Sequence, residues 1–122
     1  MGLKVIIADD DALARTMIEA IVERDEELEF LGSAEDAISA VALALEHRPD
    51  VAVLDWMMPG GGGPAAARGI LNGSPDTRIV ALTASDSQEA EIDMLRAGAK
   101  SILEKGCPPE ELLRTIHASM NL

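Results

Sequence analysis

The chain has no tyrosine, one phenylalanine and one tryptophan, so aromatic residues make up only 2 % of its 122 residues. Phe30 and Trp56 alone cannot build a base-stacking platform for single-stranded nucleic acid. Basic residues are also scarce: 10 Lys and Arg stand against 22 Asp and Glu, a formal charge of −12. A surface of that sign excludes direct, phosphate-dominated nucleic-acid contact by this chain. Its one cysteine, Cys107, cannot close an internal disulfide, which fits a reducing, cytoplasmic setting. Cys107 precedes Pro108 and Pro109 with no histidine nearby, so a packing role is expected for it. Long hydrophobic runs are missing too. The stretch from Ala37 to Leu45 is too short to span a bilayer, and no membrane partner is expected. The apolar run after Met1 ends in three aspartates, unlike a signal peptide. What is abundant is aliphatic: apolar residues reach 48 %, enough for one core of Ala, Val, Ile, Leu and Met. The length fits one domain over residues 1–122.

Short β-branched runs alternate with helical stretches. Strands are predicted at Lys4–Ala8, Leu28–Leu31, Val51–Leu54, Arg78–Leu82 and Ser101–Leu103. Helices are predicted at Ala12–Arg24, Glu35–His47, Pro64 to about Leu71, a fourth opened by Ser85 to about Ala97, and Pro108 to about Ala118. In the first helix Leu13, Met17, Ala20 and Ile21 are expected to form the buried face. Ser85 and Gln88 have capping-box spacing, and Asp11 is the expected cap of the first helix. His47 and His117 sit singly, with no ligand spacing. The βα rhythm implies an α/β fold with a parallel sheet and helices on both faces. Strands 1, 3 and 4 read as central, and the second, with Glu27 and Glu29 between apolar residues, as an edge.

The polar residues fall after the strands. Asp9, Asp10 and Asp11 follow the first, Asp55 the third, Thr83 the fourth, and Lys105 the fifth. In a parallel sheet these carboxyl ends share one edge, and ligands bind there at the switch point of the strand order. In the flavodoxin-like order 2-1-3-4-5 that point lies between strands 1 and 3, the two that end in aspartates. Clustered carboxylates either keep raised pKa values or share a cation. Oxygen ligands favour Mg²⁺, and a lysine and a hydroxyl suit the remaining phosphoryl oxygens. A central aspartate can itself be the nucleophile, so the set suits reversible phosphoryl transfer to Asp55.

These residues resemble the receiver domain of two-component response regulators, along the whole chain from Val5 to about Ala118. The likeness rests on Asp9-Asp10, on Asp55 with Met58-Pro59 and Gly63, on Thr83-Ala84, on Gly98-Ala99 and on Lys105, in that order. The run from Lys105 through Leu112 is closest to receivers that precede a helix-turn-helix output domain. The resemblance implies a five-stranded, doubly wound sheet with five helices. It implies Asp55 as phosphoacceptor, with Thr83 and Lys105 contacting the phosphoryl group. Asp9, Asp10, Asp55 and the Met57 carbonyl would be the Mg²⁺ ligands. The implied partners are a sensor histidine kinase or histidine phosphotransfer protein, and an output domain or effector, with homodimerisation on phosphorylation as a further option. Catalysis would be limited to the domain's own phosphorylation and dephosphorylation.

The sequence departs from that family at three places. Ile102 stands where an aromatic switch residue is usual, Gly106 follows Lys105 in place of proline, and Gly60 to Gly63 replace a more varied loop. An unphosphorylated interaction module is the alternative that keeps this fold. A haloacid-dehalogenase-type phosphohydrolase is disfavoured because Trp56 and Met57, not a second Asp two residues on, follow Asp55. A flavodoxin-like cofactor carrier lacks its flanking aromatics.

Overall fold

The computed structural model describes residues 2–84 and 87–121. Ten elements alternate along it: β1 (Leu3–Ala8), α1 (Ala12–Glu23), β2 (Leu28–Ala34), α2 (Ala37–His47), β3 (Val51–Asp55), α3 (Gly62–Gly73), β4 (Arg78–Thr83), α4 (Gln88–Arg96), β5 (Ser101–Glu104) and α5 (Pro109–Ser119). The strands form one parallel sheet in the order β2-β1-β3-β4-β5. The flavodoxin-like order expected from the sequence is therefore the observed one. None of the described helices is long and apolar enough to cross a membrane.

Because strand side chains alternate between faces, each central strand feeds two cores. Val5, Ile7, Val51, Val53, Val80 and Leu82 point toward α1 and α5. Ile6, Ala8, Ala52, Leu54, Ile79 and Ala81 point toward α2, α3 and α4. The second layer is alanine-rich, with Ala37, Ala40 and Ala44 of α2 meeting Ala66, Ala67 and Ile70 of α3. A chain without bulky aromatics fills this space by bringing helices close. A Cβ on Gly69 of α3 would stand 2.6 Å from a Val41 methyl of α2.

Two sequence expectations need correction. The buried residues of α1 are Ile18 and Val22, whereas Leu13 is 71 % and Met17 58 % exposed, and Ala20 faces solvent as well. Leu13, Met17 and Ala20 do lie on one helical stripe, but the sheet takes the neighbouring one. The cap of α4 is Ser87, whose side chain accepts from the Ala90 N–H at 3.2 Å. Ser85, the expected cap, lies outside the described residues. The other caps follow local chemistry, with Asp11 accepting from Leu13 and Ala14, and Asp36 accepting from Ser39.

At the edge away from the aspartates, His117 is not solitary. Its Nε2 lies 2.9 Å from Asp25 Oδ2, tying the end of α5 to the α1–β2 turn. That hydrogen bond, more than the opposing effect of burial, holds the Asp25 carboxyl below its usual range.

The loop after β3 turns through Gly60, Gly61 and Gly62, all at positive φ (87°, 103° and 75°). Three such residues in succession are accessible only to glycine without strain. Gly63 then packs against the strand that carries Asp55: a Cβ there would stand 2.6 Å from the Asp55 carbonyl oxygen and 2.9 Å from Met94 Sδ. Gly63→Ala is expected to lower stability by about 1–3 kcal/mol through this overpacking. Urea unfolding of the two proteins at equal pH measures it.

Candidate functional site

Strand register builds the site. Ala8 pairs with Leu54, so the next residues, Asp9 and Asp55, stand side by side at the carboxyl edge. Asp55 pairs with Leu82 and Thr83 with Glu104, which brings Thr83 and the residue after β5, Lys105, to the same edge. The Lys105 N–H donates to the Thr83 carbonyl at 2.7 Å, pinning the start of the β5–α5 loop.

Asp9 is fully buried and Asp55 is only 5 % exposed, while Asp10 is exposed at the mouth. Carboxylate oxygens of Asp9, Asp10 and Asp55 all lie within 4.8 Å of one another. Lys105 bridges the two buried ones: its Nζ donates to Asp9 Oδ1 at 3.1 Å and to Asp55 Oδ2 at 3.2 Å. Thr83 is buried at the end of β4, and Met57 is 66 % exposed two residues past Asp55.

Electrostatics follow from this crowding. The Asp55 carboxyl is pushed up to about 6. Burial is the largest cause, the Asp9 charge comes next, and Lys105 only partly offsets them. Lys105 is moved upward: desolvation pulls it down, but its bonds to Asp9 and Asp55 outweigh that. It therefore stays an ammonium at neutral pH. Cys107 moves up as well, through burial and the Glu111 charge, which keeps its thiol protonated and fits the packing role expected for it.

The residues present fit a hard divalent cation. Asp9 Oδ2 is buried and makes no hydrogen bond, although the Lys105 ammonium lies 3.1 Å away, because that ammonium's aligned bond goes to Oδ1. A buried carboxylate oxygen that accepts no hydrogen bond keeps part of its desolvation cost even beside an ammonium, and a coordinated cation would relieve it further. Three carboxylates with an open side match the way Mg²⁺ binds, through few protein ligands plus waters and phosphate oxygens.

One residue at the site escaped the sequence reading. Arg15 of α1 donates from Nη1 to the Asp9 carbonyl oxygen at 2.8 Å. The signal was available: a cation at the N-terminal end of a helix opposes the helix dipole and calls for a compensating partner.

Next to the site lies an apolar groove between α1 and the β5–α5 loop, of about 420 Å³, whose lining includes Met17, Ile21, Cys107, Pro108, Leu112 and Lys105. Met17, expected in the core, instead forms part of this wall.

The sequence model of the family described as response regulator receiver domain matches residues 5–117. The chain is 39 % identical over 115 residues to the oxygen regulatory protein NreC of Staphylococcus epidermidis, covering 93 % of this chain and 53 % of that protein. NreC of Staphylococcus carnosus is 36 % identical over the same length and coverage. The chain thus spans about half the length of the curated relatives it matches. Among solved structures, the signal receiver domain of NarL from Mycobacterium tuberculosis superposes with a TM-score of 0.92 at 27 % identity, over 98 % of this chain and 97 % of that one. The receiver domain of the sensor histidine kinase PA1611 from Pseudomonas aeruginosa, solved with a magnesium ion coordinated in its active site cleft, gives 0.88 at 27 % identity over the full length of both.

The raised Asp55 carboxyl has a consequence for stability. It keeps its proton up to about 6 in the folded chain but loses it near 3.8 once unfolded. The folded state binds more protons in that window, so this group's contribution to stability falls as pH rises through it. Asp55→Asn removes the effect. The variant is expected to be more stable than the wild type at pH 7.5 by roughly 2 kcal/mol, with the difference shrinking at pH 4. Urea midpoints at the two pH values, without divalent ions, check both sign and size.

Proposed function

Because this chain belongs to the response regulator receiver domain family, we propose that it is a phosphorylation-operated switch whose acceptor is Asp55. The observation that carries the reading is the Lys105 bridge between Asp9 and Asp55 inside the three-carboxylate cluster. The donor is a phosphohistidine of a sensor kinase or phosphotransfer protein. One carboxylate oxygen of Asp55 attacks phosphorus, a P–O bond forms, the P–N bond breaks, and its electron pair returns to the imidazole. With its carboxyl near 6, Asp55 is mostly ionised at neutral pH and able to attack. Lys105 and the Thr83 hydroxyl take the phosphoryl oxygens, stabilising the charge that gathers on them. Asp9, Asp10, Asp55 and the Met57 carbonyl would hold Mg²⁺, which neutralises charge on the transferring group when bound. Hydrolysis of the aspartyl phosphate resets the switch, so catalysis is confined to the domain's own modification.

Conformational coupling follows from what Lys105 and Thr83 give up. Once Lys105 turns to a phosphoryl oxygen, its bridge to Asp9 is released, and the loop it anchors leads into α5. Thr83 and the half-buried Ile102 lie on the adjacent strands β4 and β5. Ile102 carries no ring to rotate, so the shift is a repacking of aliphatic side chains. The reader of the new face is an output domain or a separate effector, with a second copy of this chain as a further partner. The reducing, cytoplasmic setting that the single cysteine suits is the one proposed for the reaction.

The groove beside Lys105 suits a helix of the partner that presents its phosphohistidine to Asp55. Lys105 is among the residues that line it, beside its apolar walls. A helix face laid against exposed Met17 brings donor and acceptor together.

Incubation with acetyl phosphate and Mg²⁺ is expected to add one phosphoryl group by intact mass, and none to Asp55→Asn. Lys105→Met is expected to slow the reaction by about a hundredfold, as loss of a charge-stabilising donor does. No mass gain in the wild type would leave an unphosphorylated interaction module. Docking is tested separately. Met17→Glu should slow transfer from a phosphohistidine protein about tenfold, in the range of an interface anchor, and leave acetyl phosphate unaffected.

A further inference from the structure

We propose that Arg15 is a positioning residue that sets the Asp9–Asp10 turn for its divalent cation. This rests on the reading that Asp9, Asp10 and Asp55 hold such a cation.

Arg15 stands close to the N-terminal end of α1, where the helix dipole disfavours a positive charge. Its side chain is nonetheless only 19 % exposed. One guanidinium nitrogen donates to the Asp9 carbonyl at 2.8 Å, and another lies 4.0 Å from the exposed Glu35 carboxylate. The first contact is what keeps the side chain folded back over the turn.

Asp9 is held from four directions. Its N–H donates to the Ala34 carbonyl at 3.0 Å. Its Oδ1 accepts from the Asp11 N–H at 2.9 Å and from Lys105. Its carbonyl is held by Arg15. The peptide unit is planar, so fixing the Asp9 carbonyl fixes the direction of the Asp10 N–Cα bond. Asp10 needs this, because its side chain makes no hydrogen bond among the described residues. Its carboxylate nevertheless lies within 4.8 Å of those of Asp9 and Asp55. Arg15 thus fixes the peptide plane from which the one exposed carboxylate of the cluster projects, and touches no reacting atom.

Charge and position predict opposite signs. A guanidinium beside three carboxylates repels an incoming cation, so removing it for its charge alone tightens Mg²⁺ binding. Removing it as a positioning group loosens Mg²⁺ binding, because the ligands are no longer preset. The position effect is the larger, since a hydrogen bond from a charged group to a partly buried carbonyl is among the stronger ones.

The test titrates Mg²⁺ into the full chain and follows Trp56 fluorescence together with calorimetry. Arg15→Met, which keeps the length and loses the donor, is expected to bind Mg²⁺ about tenfold more weakly. Arg15→Lys retains a donor and a charge and is expected to recover most of that loss. Arg24→Met removes an equal charge from the end of the same helix without touching Asp9, and should bind as tightly as the wild type or tighter. With acetyl phosphate, the half-saturating Mg²⁺ should rise tenfold for Arg15→Met with the rate at saturating Mg²⁺ unchanged, and a merely destabilised fold would not give that split. Urea unfolding confirms that each variant is folded. If Arg15→Met binds Mg²⁺ as tightly as the wild type or more tightly, the inference is overturned while the metal reading stands. If the wild type takes up no Mg²⁺, both fall.

Discussion

The ammonium of Lys105 between Asp9 and Asp55 is the interaction on which the rest of the site depends. A parallel sheet buries the carboxyl ends of its central strands, and here two of those ends are aspartates. Their mutual repulsion and desolvation push the Asp55 carboxyl up to about 6 even with the lysine in place. Lys105 is delivered by an edge strand and fixed by its own N–H to the Thr83 carbonyl. The cluster is therefore tolerated but not fully satisfied: Asp9 Oδ2 has the Lys105 charge nearby but accepts no hydrogen bond. Partly relieved negative charge of this kind favours a cation at this edge, and under the proposed switch an exchange of the Lys105 bridge would be felt in the β5–α5 loop.

The scarcity of aromatics shapes the support beneath. With alanine facing alanine between α2 and α3, those helices sit close, and glycines on α3 receive the side chains of α2. Three successive glycines at positive φ carry the chain from β3 into α3. The neighbouring Gly63 lets that loop lie directly on the strand bearing Asp55. On the other face α1 buries Ile18 and Val22 against the sheet, with Ile21 partly buried beside them, and Leu13 and Met17 remain at the surface. Met17, left outside the core, lines the groove that Lys105 also borders, which is why the proposed partner helix is set there.

Much of this was legible in the sequence because it is written in local patterns. The βα rhythm implies the sheet and the strand-end polar residues imply its edge, so Asp9, Asp55, Thr83 and Lys105 can be picked out from sequence alone. On α1 the apolar period of Leu13, Met17, Ala20 and Ile21 is as regular as that of Ile18 and Val22, yet of those four only Ile21 packs against the core. Periodicity identifies a helix, but which of two neighbouring stripes is buried depends on how the helix lies on the sheet. The Asp25–His117 contact joins residues 92 positions apart and leaves no trace in spacing.

The sequence by itself determined the order of elements, the two strand-end aspartate groups and the residue types available for phosphoryl chemistry. These depend on hydrophobic period and on the rule that parallel strands share one carboxyl edge. Only the tertiary structure decided that Asp9 and not Asp10 shares Lys105 with Asp55, that Arg15 holds the acidic turn, and that Met17 faces outward. Each of those turns on register and helix placement to within an ångström or two, and hydrogen bonds and charges are sensitive at that scale while hydrophobic patterning is not.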